Sequence, residues 1–506
     1  MEKASPEAAA EISQSDWEKA PESVQQLVMY LLERNEQLGK RVEALEQQYE
    51  ALTAENQLLK EQLQLNSTNS SKPPSQDRGQ GFKSKEKLPS KKQRGGQPGH
   101  EGHERRLYPI EQCEVGEEHY PESCIECGAT LAGWDSEPYR VQIVKILPVV
   151  PQVTEHRFPS LSCPHCGAAT RAWDEGIIDG SGYGERVAAH VAVLSGQYRQ
   201  SHRMVQELMY ELFGIELSVG SIHRLRQESS DAVAAAVAEV QVYVQAQSHV
   251  NRDETSFSQG NGDGLNPNGR KGWLWTMTTP LVSYFAIFLG RTQAVCQQLL
   301  GEGFTGIVSS DRFSAYHYLE IEARQICWAH LKRDFKRISQ RPGVAGELGQ
   351  ALLAQQKLLF EQWHRVRDGT LECNAFVDEV APIQQQIRAL LEQGASYPIG
   401  KEEKTPLAKT VRTCQQLLKV ESAFWTFVTT PGIEPTNNAA ERVLRPAVLW
   451  RKNSFGSQSE AGSLFVSRML TVVTTLRTQN RPVLEYLIEA CRAARQGQPA
   501  PSLLPA

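Results

Sequence analysis

The chain lacks any apolar run of about 18 residues, so no segment is long enough to cross a bilayer as a helix. Its first stretch, MEKASPEAAAEISQSDWEKAPES, is acidic and polar and lacks the cationic start and apolar centre of a secretory leader. An excess of positive charge is missing too. The formal net charge is -5, which argues against a uniformly basic nucleic-acid coat and leaves room for local basic segments. A disulfide framework is also absent: the ten cysteines comprise two CxxC pairs and six scattered singles, the usage of a reducing compartment with a metal site. These absences predict a cytoplasmic protein without a membrane partner. What is present is ordinary for a globular chain, with 40% hydrophobic and 22% charged residues, and 506 residues call for more than one domain.

The first organised feature is a heptad at residues 24–64. Leu31, Leu38, Leu45, Leu52 and Leu59 fall seven apart, and Val24 extends the row backwards. Asn35, Val42, Tyr49, Asn56 and Leu63 follow four residues after each leucine. Leucine at d with asparagine at some a positions favours a parallel two-stranded coiled coil in fixed register, so a homodimer or higher oligomer is expected through this segment. Residues 65–107 follow as a basic linker rich in Ser, Pro and Gly. Between residues 72 and 106, ten Lys/Arg stand against four Asp/Glu. That composition cannot bury a core and predicts disorder. It reads equally as a solvated spacer and as a tether that follows phosphates through counterion release.

Residues 108–172 carry Cys124 and Cys127, the apolar run YRVQIVKILPVVPQVTEHRF, then Cys163 and Cys166, with Gly128 and Gly167 closing each pair. Two CxxCG knuckles flanking a β-rich stretch predict a zinc ribbon, each knuckle turning two thiolates toward one tetrahedral Zn2+. His165 reads as a surface residue. Residues 173–246 read as helical. A turn at Gly214 and a helix capped at Ser218, with His223, Arg224 and Arg226 outward, is compatible with a helix-turn-helix as well as with a plain helical hairpin.

From residue 247 the pattern shifts to strands in the order β-β-β-α-β-α-β, which is the order of a ribonuclease-H-like mixed sheet. There the first strand, bearing Asp253, would lie beside the fourth, which ends at Asp311. Adjacent carboxylates repel and raise each other's pKa unless a cation neutralises them, so such a pair points to a hard divalent ion. Two such ions about 4 Å apart clamp the attacking and leaving oxygens of a phosphoryl displacement. Glu441 in EPTNNAAERVLRPAVLWRKNSFG supplies a third acid. Locally it would complete a capping box with Asn438 and face Arg445 at i+4, and neither role excludes metal binding. The 129 residues between Asp311 and Glu441 include a helical insertion at 335–431. His330 reads equally as a helix-start or core histidine and as a residue near a scissile phosphate.

The motifs NRDETSF, SSDRFSAYHYL, CWAHLKRDF and PTNNAAERVLRPAVLWRKNSFG together resemble the insertion-sequence sixty-six transposases, DDE enzymes of bacterial mobile elements. The zipper, the SSKPPSQD linker with GGQPGHEGH, and the zinc module extend the likeness over nearly the whole chain. The resemblance implies a catalytic triad of Asp253, Asp311 and Glu441 holding Mg2+ (or Mn2+), with Zn2+ on Cys124, Cys127, Cys163 and Cys166. Arg442, Arg445, Arg451 and Lys452 would neutralise the DNA backbone. The implied architecture is multidomain α+β: coiled coil, linker, zinc ribbon, helical region, a ribonuclease-H-like DDE domain at 247–460 and C-terminal helices and tail at 461–506. Many members read Asp-Asn-Asn before the last motif. Here Thr436 replaces the aspartate, which leaves Glu441 intact and removes a carboxylate that would make an accessory metal contact. The implied partners are terminal inverted repeats, target DNA and small accessory proteins, in the bacterial cytoplasm at the nucleoid. A transposase-derived DNA-binding regulator without catalysis is the alternative.

Overall fold

The computed structural model describes residues 14–66, 69–70, 105–114, 116–174, 177 and 182–505. Apart from Arg105 and Arg106, the basic segment at 72–106 lies outside them. The chain divides into two compact units, Met1–Gly81 with Gln325–Pro435 and Phe82–Arg324 with Thr436–Ala506.

Helix α1 spans Glu22–Gln64 without a break, and a helix of that length rises about 64 Å. Its d-position leucines stand uncovered, from 48% exposed at Leu59 to 57% at Leu52. In the second unit, β1 (Ser160–Ser162) pairs antiparallel with β2 (Ala169–Arg171). The apolar run before them, expected to supply strands, contains none: Tyr139, Ile143, Ile146 and Val150 are all exposed. Strand propensity describes fit to a pleated, half-buried surface, and with no paired neighbour here the preference goes unrealised.

Four helices follow: α2 (Glu185–Gly196), α3 (His202–Phe213), α4 (Val219–Ala232) and α5 (Ala234–Gln245). Ser201 and Ser218 cap α3 and α4, their hydroxyls accepting from the amides of Met204 and Ser221. Gly214, at φ 64°, closes α3 in the left-handed position that a side chain resists.

The sheet begins with β3 (His249–Ser256), β4 (Trp273–Thr278) and β5 (Ser283–Phe288), an antiparallel meander. Helix α6 (Gln293–Leu300) crosses over to β6 (Ile307–Ser310), which runs parallel to β3 with His249 opposite Ile307 and Asn251 opposite Ser309. With β7 (Arg324–Ile326) at the edge, the order is β5-β4-β3-β6-β7. The first and fourth strands of the sheet therefore adjoin. Between β6 and β7, the expected short helix is instead two 3-10 turns, Ser314–Tyr316 and Ile321–Ala323. The last expected strand, ARQICWAH, stops at Ile326, because Trp328 already begins the next helix.

The first unit continues with α7 (Trp328–Ser339), α8 (Val344–Arg367), α9 (Cys373–Ser396) and α10 (Pro406–Leu418). Trp328 is fully buried, meets Phe360, Phe424 and Trp425 edge-on, and donates its indole N–H to the Phe424 carbonyl at 2.8 Å. A Cβ at Gly349 would fall 2.2 Å from the Ser339 nitrogen, so glycine is what lets α8 approach the end of α7.

The second unit resumes with α11 (Asn438–Ser454), α12 (Glu460–Thr478) and α13 (Val483–Arg495). Phe465, Met469, Val472 and Leu476 of α12 are buried in one core with Val250, Trp275 and Phe285 of the sheet, as their helical spacing predicts. Helix α12 covers the open edge strand β5. Thr475 and Thr471 accept from the amides of Ser283 (3.1 Å) and Phe285 (3.0 Å), so those edge donors are satisfied.

Candidate active site and thiolate knuckles

Strand β3 alternates as a pleat requires: Val250, Arg252 and Glu254 are buried, while Asn251, Asp253 and Thr255 keep partial exposure. The buried face thus carries charge. Arg252 is fully buried, donates to the Cys296 carbonyl at 3.1 Å and lies over the rings of Trp275 and Tyr316. Glu254 accepts from the Tyr316 hydroxyl at 2.5 Å and from Arg291 Nε at 2.8 Å. Arg291 stacks on Phe313, its guanidinium carbon 3.6 Å from the ring centre. Burial and Asp311 raise the Glu254 pKa, against the lowering effect of Arg291 and Tyr316.

Asp253 accepts from the Glu254 amide at 2.9 Å, which fixes its carboxylate at the strand. Asp311 follows the end of β6 and accepts from the Phe313 amide at 2.9 Å, closing a tight turn. Glu441 lies in the first turn of α11, a helix that packs on β3 and β4. The expected capping box does not form there. Asn437, not Asn438, precedes the helix, and its side chain donates to the Arg252 carbonyl at 2.6 Å instead of capping. That bond ties the start of α11 to the strand position beside Asp253.

The Asp253 carboxyl, hemmed in by protein although part of the residue reaches solvent, titrates well above the usual carboxylate range. Burial is the largest cause, followed by Glu254 and Asp311, with Glu441 adding its share. Acids from two strands and a helix are thus near enough to feel one another's charge, but among the described residues the carboxylates of Asp253, Asp311 and Glu441 do not gather within ligand distance of one another. Such a donor set, all carboxylate oxygens, suits Mg2+ or Mn2+.

The four cations of α11 separate into two kinds. Arg442, Arg445 and Lys452 are exposed. Arg451 is half-buried, and its Nη1 bonds Thr255 Oγ1 (2.9 Å), the Ser256 carbonyl (2.8 Å) and Ser256 Oγ (2.6 Å). It fastens α11 to the end of β3, a structural task that its grouping with the other three did not anticipate. Arg226, expected to face outward, turns in over the Phe465 ring at 4.1 Å and contacts His202, while His223 and Arg224 stay exposed. Burial, Arg226 and His223 push the His202 pKa down to about 4.

The knuckles are near copies of each other. The Cys124 amide donates to the Ala129 carbonyl at 2.8 Å and the Gly128 amide to the Cys124 carbonyl at 2.9 Å; Cys163 and Gly167 repeat both bonds at the same lengths. Gly128 and Gly167 take φ 75° and 73°. Backbone amides of Cys127 and Glu126 lower the Cys124 pKa, and those of Cys166 and His165 lower that of Cys163, favouring thiolate. Each pair is a preformed two-sulfur half-site suited to Zn2+. Among the described residues, the four sulfurs do not gather into a single cluster.

Sequence reasoning missed Arg252, Glu254, Arg291, Tyr316 and Asn437. The one available signal was the charge at alternate positions in NRDETSF, which sets ionic side chains on a face that the sheet must bury.

Comparison with known proteins places these features in context. The model of the transposase IS66 family matches residues 180–464, and that of the zinc-finger binding domain of transposase IS66 matches residues 121–167. A family of unknown function (DUF6444) matches residues 8–106. The uncharacterized protein y4qI of Sinorhizobium fredii is 27% identical over 251 residues, 46% of this chain and 45% of that protein. Another protein of that organism, the uncharacterized y4hP, is 26% identical over 228 residues, 39% and 38% of the two chains. The chain thus spans less than half the length of these curated relatives.

Proposed function

Because this chain belongs to the IS66 family of transposases, whose model covers more than half its length, we propose that it is a DDE transposase. In this reading it binds the ends of a bacterial insertion sequence and catalyses metal-dependent strand cleavage and strand transfer. Residues 247–460 form a ribonuclease-H-like catalytic domain, interrupted by the helical insertion at 335–431. Asp253, Asp311 and Glu441 hold Mg2+ or Mn2+. When bound, such ions polarise the scissile phosphate and favour ionisation of an attacking water or 3′-hydroxyl.

The chain's own residues do the positioning. Asp253 is fixed by the Glu254 amide, and Glu254 by Tyr316 and Arg291. Asn437 anchors the helix that carries Glu441. Arg442, Arg445 and Lys452 neutralise phosphates on the exposed side of α11. The knuckles, closed by one Zn2+, form a ribbon that contacts the terminal inverted repeats, with the helices of residues 173–246 as a second DNA contact. Helix α1 pairs two copies through its heptads. Target DNA and the element's small accessory proteins complete the assembly, at the nucleoid.

The observation that carries this reading is the adjacency of β3, which bears Asp253, and β6, which leads into Asp311, with Asn437 tying the helix of Glu441 to the Arg252 carbonyl; the raised pKa of Asp253 accords with it. Wild type and Asp311→Asn are compared on DNA bearing the element's ends, with Mg2+ present. The enzyme reading expects the variant to bind and not to cleave. Equal behaviour of the two proteins would instead mark a DNA-binding regulator without catalysis.

A further inference from the structure

The turn that ends α11 holds an aromatic residue where chemistry disfavours one. Phe455 occupies the left-handed cap position at φ 59°, its amide bonded to the Arg451 carbonyl at 2.9 Å. Glycine is the usual occupant of that position, and a bulky side chain there is strained. The phenyl group recovers nothing by packing, since Phe455 is 85% exposed. Its surroundings hold the conformation in place. Ser457 donates to the Ser258 carbonyl (2.9 Å), Gly260 to the Ser457 carbonyl (2.8 Å) and Gly262 to the Gln458 carbonyl (2.7 Å). A Cβ at Gly456 would lie 2.1 Å from the Ser258 carbonyl oxygen. The loop after β3 thus holds the segment that follows Phe455, residues 456–458, and with it the turn. Strain that neighbours over-determine is a mark of function.

The setting indicates which ligand. Arg442, Arg445, Leu449 and Lys452 recur at i, i+3, i+7 and i+10 and form one exposed face of α11, between Glu441 in its first turn and Phe455 just past its last. Three cations followed by a projecting aromatic ring form a strand-binding platform, with charge for phosphates and a flat face for a base. The helical rise puts Phe455 roughly 21 Å along the axis from Glu441. That is about six base steps at roughly 3.4 Å each.

We propose that Phe455 is a base-stacking residue, which takes an unstacked DNA base against its ring while the cations of α11 hold the backbone. This inference rests on the DNA-binding reading above and adds to it a preference for unpaired over paired strands.

The test uses the full-length protein in chelator, so that no cleavage intervenes. The probes are an oligodeoxynucleotide of about 40 mixed-sequence residues and its blunt duplex, read by fluorescence anisotropy. Phe455→Ala is expected to weaken single-strand binding roughly tenfold while duplex binding changes less than about twofold, and Phe455→Trp restores it. A 2-aminopurine in the strand should be quenched by wild type and Phe455→Trp and stay bright with Phe455→Ala. Because the ring contributes strain and no packing, Phe455→Gly should melt no lower than wild type, which a structural role for the ring does not allow.

Single-strand affinity unchanged by Phe455→Ala would overturn the proposal. So would a lower melting temperature accompanied by equal losses on both DNA forms. If the triple variant Arg442→Ala, Arg445→Ala, Lys452→Ala weakens both forms and Phe455→Ala neither, stacking alone falls and DNA binding by this face stands. If wild type binds neither probe, the DNA-binding reading falls with it.

Discussion

A carboxyl group pressed against other acids ionises reluctantly, and in the folded chain Asp253 bears that cost from burial, Glu254, Asp311 and Glu441 together. Between the ordinary aspartate pKa near ~4 and the higher folded-state value, the folded protein keeps a proton that the unfolded chain has released. This group's contribution to stability therefore falls as pH rises through that window. In chelator, Asp253→Asn should accordingly melt above wild type at about pH 8, and the two should converge only as the pH falls to about 4. Added Mg2+ should then raise wild type more than the variant. A variant that melts below wild type at the higher pH in metal-free buffer would show that crowding is not what Asp253 endures. Asp253, Asp311 and Glu441 stand out in the sequence because each sits in a short, chemically distinctive motif, whereas sequence reasoning misses Glu254 beside Asp253. The residues that hold Glu254 do not stand out, since Arg291 and Tyr316 lie 37 and 62 positions away, and no local pattern pairs a strand with side chains so distant.

Elements show the same division between what periodicity reveals and what contact decides. The spacing of Ala461, Phe465, Met469, Val472 and Leu476 reads one face of α12 as core; the last four are buried there, and Ala461, in the first turn, keeps partial exposure. Nothing in the spacing said that Thr471 and Thr475, in the same helix, complete a strand edge some 190 residues earlier. Thr475 accepts from the Ser283 amide and donates back to its carbonyl at 3.2 Å. Thr475→Val keeps the shape and strands both groups in a buried place, so a loss of about 1–3 kcal/mol is expected in urea unfolding. Exchange of the Ser283 amide should quicken with it. Unchanged stability and exchange would mean that water or a shifted strand satisfies the edge without the hydroxyl. The unpaired apolar stretch at 139–158 is the converse case: its composition favours strand, but among the described residues no strand pairs with it, and sequence alone does not supply one.

At the scale of the whole molecule, α1 presents leucine at every seventh position and covers none of them: Leu31, Leu38, Leu45, Leu52 and Leu59 are all about half exposed. A lone helix with such a seam leaves apolar surface in water, each buried leucine being worth roughly 1.5–3 kcal/mol. A second copy in parallel register would bury the row and set Asn35 and Asn56 opposite their counterparts, where buried asparagines favour two strands over three. On the function proposed above, pairing would also give one assembly two catalytic domains, one for each end of an element. Replacing Leu38 and Leu45 by Asp puts like charges across the seam, and sedimentation should then report a single chain where wild type reports at least two. Since α1 lies apart in sequence from the proposed triad, the variant should still bind one DNA end and should fail to hold two ends together. A native mass unchanged by the double substitution would mean that α1 does not join the copies, and the leucine row would then need another partner.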